Sequence, residues 1–216
     1  MSEQEQKGPK ERILKAASTL IAQRGYADVG VREISSNADV NIAMISYYFG
    51  NKIGILKAII AEYFKDVEDI FLEDIDKNLS KDEIFRKRIR STVNLIRRKT
   101  DICKVAMMEM PYDVPEIREF KIQMMTHHIE YIKKFTHRPD SHQKDKGMHL
   151  IIGPAYLSLI YSNFIFGDLI NSLYKIDLND EFYDKYSDTI ATIFLRGVKG
   201  LMQSSMPEHQ NKVSVR

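Results

Sequence analysis

The stretch Val31–Gly50 reads VREISSNADVNIAMISYYFG. Its apolar residues fall into two short helical patterns, Val31–Asn37 and Ile42–Phe49, with Ala38–Asn41 between them. Two short helices crossing steeply through a brief turn need three things: apolar residues where they touch, a small residue at the crossing, and a turn residue that accepts left-handed backbone. Ile34, Ala38, Val40 and Ile45 supply the apolar set, Ser35 is the small residue, and Asp39 sits at the turn. Glycine is the usual turn occupant, but aspartate is among the few others that enter that region at modest cost. Asn41 stands just before the second short helix, where its side chain can accept from a free N–H group. The segment therefore reads as a helix-turn-helix.

The outward face of the second helix carries the functional reading. No acidic residue occurs between Val40 and Ala61, while Lys52 and Lys57 are present. A polyanion would repel carboxylates there. Ala43, Met44, Ser46 and Tyr47 are the outward candidates; apolar contacts can read thymine methyl groups, and hydroxyls can bind phosphates or base edges. Of the two tyrosines, Tyr48 is expected to pack inward with Phe49, leaving Tyr47 to DNA.

Outward from this segment the helical period dominates. Gly8-Pro9 opens a first helix carrying Ile13, Ala16, Ala17, Leu20 and Ile21, and Gly25 stands where a left-handed cap is wanted. A long helix starts near Lys52 and runs into Val67–Asp76. The spacing then predicts helices over Ile84–Lys99, Ile102–Met110 (stopped by Pro111), Pro115–Phe135, Met148–Leu173 and Asp180–Met202, with the polar stretch Thr136–Lys146 as a loop. The expected architecture is all-α, about nine helices and no sheet. A three-helix helix-turn-helix domain spans 9–54 with its motif at 31–50, a helical effector-binding and dimerisation domain spans 55–203, and 1–8 and 204–216 are tails.

The segment resembles the tetracycline-repressor (TetR) family, whose fingerprint covers about the first quarter of the chain. Arg32, Ile34, Ser35, Val40, Tyr48, Phe49, Lys52 and Leu56 match its pattern, as does the aliphatic-rich leading helix ending at Arg24-Gly25-Tyr26. The resemblance implies an N-terminal DNA-binding domain and an all-helical C-terminal domain that dimerises and usually binds a small effector. It places Arg32, Asn41, Ala43, Met44, Tyr47, Tyr48 and Lys52 toward DNA, with Lys52 meeting a phosphate at the positive end of the fourth helix. Three positions depart from the pattern. Gly30 stands where members often have Thr, Asp39 replaces the usual Gly, and Ser46 stands where many have Tyr.

Composition bounds the remainder. Hydrophobic residues make up 44 % of 216, enough for a core, and a net charge of +2 means that any DNA surface must be local. The single cysteine, Cys103, cannot form an intramolecular disulfide, which fits a reducing cytoplasm. The first ten residues are polar, so no secretion signal is read. The uncharged stretch from His149 to Gly167 is short for a membrane span and reads as a buried helix.

The basic run Arg86, Lys87, Arg88, Arg90, Arg97, Arg98 and Lys99 reads as a solvated helix face rather than a second DNA site. The adjacent pair His127-His128 lacks the i, i+4 spacing of a helical zinc site, and neither metal nor cofactor is expected. Met107, Met108, Met124 and His128, with Tyr156 and Phe164, are the candidate lining of an apolar effector pocket; methionine suits variable apolar ligands and ordinary cores equally. Ile190, Phe194, Gly197 and Leu201 share a face of the last helix and are the candidate dimer surface.

No nucleophile–base pairing or phosphate-binding glycine loop is found, so an enzyme is not expected. The expected partners are double-stranded operator DNA, a second copy of the chain and a small effector. The rival reading is an architectural or division-linked DNA binder.

Overall fold

The computed structural model describes residues 8–72, 78–109, 111, 113–136 and 146–204, and among them places nine α-helices and no strand. They are α1 (Pro9–Arg24), α2 (Val31–Asn37), α3 (Ile42–Phe49), α4 (Lys52–Leu72), α5 (Lys81–Arg98), α6 (Thr100–Met108), α7 (Pro115–Thr136), α8 (Lys146–Tyr174) and α9 (Asp180–Ser204). α5 and α6 are separated at Lys99, whose φ of −126° and ψ of 42° leave the helical region. α8 is already helical at Lys146, two residues before the expected start, and continues through Pro154 although proline cannot donate the i→i−4 bond. Residues 137–145 of the expected loop lie outside the described residues. Gly25 does carry a positive φ, 88°, but its ψ is 157°, an extended rather than left-handed cap that is open essentially to glycine alone.

The chain packs as two compact units. One comprises Met1–Asp74 with Asn94–His142, the other Ile75–Val93 with Gln143–Arg216. The expected limit between head and body, 54/55, falls inside α4 and inside the first unit, so division by packing differs from division by role. The cause is visible on α1. It buries Ile13, Ala17 and Ile21 along one stripe and Ser18 and Ala22 beside it, an arc wide enough to meet more than the other head helices. α1 packs on α2, α3, α4 and α6, and the Thr19 hydroxyl donates to Asp101 Oδ2 at 2.6 Å. Ile55, Leu56, Ile59 and Ile60 of α4, Val105 and Ala106 of α6 and Ile117 of α7 are all fully buried in this unit.

In the second unit α8 and α9 are clasped by Tyr186. Its hydroxyl donates to Leu159 O at 2.8 Å and accepts from the Asn163 N–H at 3.2 Å, so a side chain sits in the hydrogen-bond ladder of α8. Phe85 stacks on Phe194, with centroids 5.2 Å apart, and Tyr156 meets both rings.

The basic run is not a bare solvated face. Arg86 donates to Thr192 Oγ1 (3.0 Å) and to Asp188 O (3.3 Å), and Arg90 pairs with Asp188 (3.2 Å) and Asp184 (3.6 Å). Lys99 pairs with Glu62 (2.9 Å) and Asp66 (2.8 Å). Burial pushes the Tyr156 phenol up to about 12, with the nearby Arg88 guanidinium opposing it. The acids that answer these cations stand far away in sequence, on α9 and α4, which is why local reading of α5 missed them.

Candidate nucleic-acid interface

The turn between α2 and α3 closes as a Schellman motif. Val40 N–H donates to Ser35 O at 3.0 Å, Asp39 N–H donates to Ser36 O at 3.2 Å, and Asp39 takes the left-handed conformation with φ 51°. Arg12 of α1 donates through Nη2 to Asp39 O at 3.1 Å, which ties the turn to the first helix. α3 then starts at a cap: Asn41 Oδ1 accepts the Ala43 N–H at 2.9 Å.

α3 is anchored by one fully buried residue, Ile45. Ala43, Ser46 and Tyr47 are exposed, Tyr47 at 79 %, and Met44 is half-buried at the margin of that face. Tyr48 is half-buried, with its ring edge-on to Tyr47 at 4.9 Å and 6.3 Å from Phe49. Ile42 is also exposed, and it was missing from the expected set. Its place one turn before Ser46 was the signal that could have found it.

At the other end of α3, Gly50 turns with φ 75° while its N–H closes on Ser46 O at 3.0 Å. Asn51 caps α4, its Oδ1 accepting the Gly54 N–H at 3.0 Å. A Cβ on Gly54 would overlap the carbonyl oxygen of Phe49, so the end of α3 rests directly on the first turn of α4. This close approach fixes the attitude of α3.

Lys52 opens α4. Its Nζ lies 4.1 Å from the centroid of the Tyr26 ring and 3.5 Å from Ala27 O. Burial lowers its pKa and Asp28 opposes that shift. Arg32 is exposed on α2, and Arg24 pairs with Glu33 at 2.6 Å beside it. The expected DNA-facing residues thus converge from α2, the turn, α3 and the start of α4, all within the first unit.

The expected pocket residues are distributed differently. In the first unit Met107 and Met124 are half-buried and Met108 is 45 % exposed. His128 lies against the rings of Phe64 and Phe71, and burial followed by the neighbouring His127 pushes it down to about 4. Tyr156 and Phe164 belong to the second unit, where Phe164 stacks on Tyr183 with centroids 5.6 Å apart. The first unit also holds an open groove of about 1090 Å³ between α1, α4 and the start of α6, walled by Leu14, Lys15, Ala58, Glu62, Arg98 and Thr100; none of the expected pocket residues lines it.

Of the candidate dimer face, Ile190 is buried and Phe194 is covered by Phe85 and Tyr156, so both serve the core of their own unit. Gly197 is exposed, and Ile193, one turn before it, is 52 % exposed. The side chain of Leu201 lies outside the described residues. Cys103 is buried, and burial pushes its thiol up to about 12. Among the described residues no group of three or more His, Cys, Asp or Glu could hold a metal ion, and no helix is long and apolar enough to cross a membrane.

Two short crossed helices set on a third, with an acid-free second helix, define a helix-turn-helix. Residues 13–59 match the family described as bacterial regulatory proteins, tetR family, so over this segment the chain is similar to that family. The chain is 38 % identical over 71 residues to the probable HTH-type transcriptional regulator YttP of Bacillus subtilis, a match covering 33 % of this chain and 34 % of that protein. It is 24 % identical over 195 residues to the uncharacterized HTH-type transcriptional regulator YvkB of the same organism, covering 87 % and 96 %. The YttP match thus spans about a third of that relative's length. Among solved structures, the fatty acid degradation regulator FadR from Bacillus halodurans shares the fold, with a TM-score of 0.66, 17 % identity and coverage of 90 % and 98 %. FadR from Bacillus subtilis in complex with stearoyl-CoA shares it too, with a TM-score of 0.62, 19 % identity and coverage of 87 % and 98 %.

Proposed function

We propose that this protein is a dimeric, effector-responsive transcriptional regulator of the cytoplasm, a repressor in the first instance, that binds double-stranded operator DNA. The observation that carries the reading is α3. It is a short helix pinned at both ends by the Asp39 turn and the Gly54 contact, and its exposed face of Ile42, Ala43, Ser46 and Tyr47 adjoins no carboxylate between Val40 and Ala61. In a dimer, two such helices enter successive major grooves of a pseudo-palindromic site with half-sites about 34–36 Å apart. Met44 and Ala43 meet base edges, and Lys52, with Arg32 and Tyr47, meets phosphates.

The second copy sits on the second unit. α8 leaves Ile151, Ile165 and Leu169 exposed on one stripe, and α9 leaves Ile193 and Gly197 exposed at i, i+4. Apolar residues at this density need a cover. The dimer face is therefore Ile193 with Gly197 rather than Ile190 with Phe194.

The effector is a small apolar molecule bound by the C-terminal helices. Met107, Met124 and His128, all in the first unit, remain the candidate lining. The stearoyl-CoA complex of the similarly folded FadR from Bacillus subtilis supports a ligand with a long apolar chain. Binding that favours a different spacing of the two heads lowers operator affinity by differential binding alone.

The test is selection of bound duplexes from random DNA by the purified chain, repeated with stearoyl-CoA present. The expected outcome is a two-fold-symmetric motif whose enrichment changes with the ligand. No enriched motif at low ionic strength would end the DNA-binding reading. A motif indifferent to stearoyl-CoA would exclude that ligand as the effector.

A further inference from the structure

The main chain of Glu109 forms the C-cap of α6, its N–H closing on Val105 O at 3.1 Å. Its carboxylate does not turn to solvent. Oε2 accepts the backbone N–H of Tyr26 at 3.0 Å, across eighty-three positions of sequence. Glu109 is itself held from α7, because the ammonium of Lys121 donates to Glu109 O at 3.0 Å and to Met107 O at 3.3 Å. Lys121 is only 4 % exposed. A buried lysine is costly, and here it is spent on the last carbonyls of α6, where a cation is favoured by the helix dipole.

The other end of the chain of contacts is Lys52. Its Nζ rests over the Tyr26 ring and beside Ala27 O, so the loop that Glu109 grips forms the bed of that ammonium. A long, flexible side chain already held near its working position loses less freedom when it meets a ligand.

We propose that Glu109, fixed in place by Lys121, is a positioning residue for the DNA grip: through the backbone of Tyr26 it holds the seat on which Lys52 meets a phosphate. This rests on the reading of Lys52 as a phosphate contact, and it places part of the DNA-binding apparatus on α6 and α7, outside the helix-turn-helix. The head does not depend on this contact for its attachment, since Thr19 bonds Asp101 and α1 is buried against α6 independently.

The test uses the full-length protein and its selected operator, with affinity read across a salt series and stability by urea unfolding. Lys121→Met keeps the length and apolar stem while removing the buried charge, and it leaves the Met107 and Glu109 carbonyls without their donor. It is expected to lower the unfolding midpoint and, at temperatures where the variant is still folded, to weaken operator binding. Glu109→Ala should weaken binding about tenfold, the size of a coupled pair. Glu109→Gln, whose side-chain oxygen can still accept from Tyr26, should restore most of the loss.

In a Lys52→Ala background Glu109→Ala should cost no further affinity, because the residue it positions is gone. If Lys52→Ala weakens binding and flattens the salt slope by about 1, the phosphate reading stands. In that case Glu109→Ala and Lys121→Met variants that bind normally, or a Glu109→Ala loss that simply adds to that of Lys52→Ala, would overturn the positioning role. If Lys52→Ala itself changes neither affinity nor slope, the phosphate reading of Lys52 fails and the inference falls with it.

Discussion

Gly54 shows how one missing methyl group sets the attitude of α3. In an open helix, replacing glycine by alanine gains about 1 kcal/mol. At Gly54 the added Cβ meets the carbonyl oxygen of Phe49, a backbone atom that cannot step aside alone. Gly54→Ala is therefore expected to cost about 1–3 kcal/mol, as overpacking does, and to weaken operator binding by tilting α3. An unfolding midpoint equal to or above that of the parent would show that the two helices can part freely. Neighbouring residues differed in how far the sequence revealed them. Asp39 was legible because the α2–α3 turn needs a left-handed residue and few residue types accept one; its φ of 51° bears that out. Gly54 was not, because its constraint arises only once α3 has docked on α4, and no local pattern carries that information.

At the scale of the helix, α3 rests on a cap. Asn41→Ala removes the acceptor for the Ala43 N–H and should cost about 1 kcal/mol of stability, the usual worth of such a cap. A substitution at the rim of the exposed face, Met44→Ala, should instead leave the midpoint within about 0.5 kcal/mol, as surface changes do, and shift the preferred base in repeated selection. A Met44 variant selecting the parental sequence would remove that side chain from the set that reads bases.

The helices themselves were readable, since apolar period, Pro at first turns and caps act within a few residues. What covers a helical face is another matter. Ile190 and Phe194 repeat correctly for a buried stripe, but periodicity cannot distinguish a stripe covered by Phe85 of the same chain from one covered by a second subunit. The basic run Arg86–Lys99 was misread for the same reason, because Asp188 meets Arg90 and Glu62 meets Lys99 only through tertiary packing.

Across the whole molecule, the proposed pairing of subunits makes a prediction that the single chain does not. Ile193 is exposed in the isolated chain, so Ile193→Asp should leave the folded monomer intact. In a dimer the same carboxylate would be buried without a partner, at a cost of several kcal/mol. Sedimentation should show monomer, and operator affinity should fall because the two half-sites are no longer bound together. A variant that remained dimeric, or that bound operator as tightly as the parent, would move the interface elsewhere. The domain scheme was the least legible feature at this scale. The helix-turn-helix is a unit of sequence pattern, yet α1 and α4 bury residues against α6 and α7, so the head belongs to a larger packing unit.

Cys103 is the only thiol in the sequence, and it is buried, with burial pushing its pKa up to about 12. Buried and held protonated, this thiol is a poor partner for disulfide exchange. The same closure gives the molecule a clean exterior for chemistry at the bench: a cysteine introduced on the surface of α3 can carry a spin label or fluorophore without removal of the native one. In the proposed dimer, a symmetric pair of such labels would report the separation of the two copies of α3 in solution with and without a candidate effector.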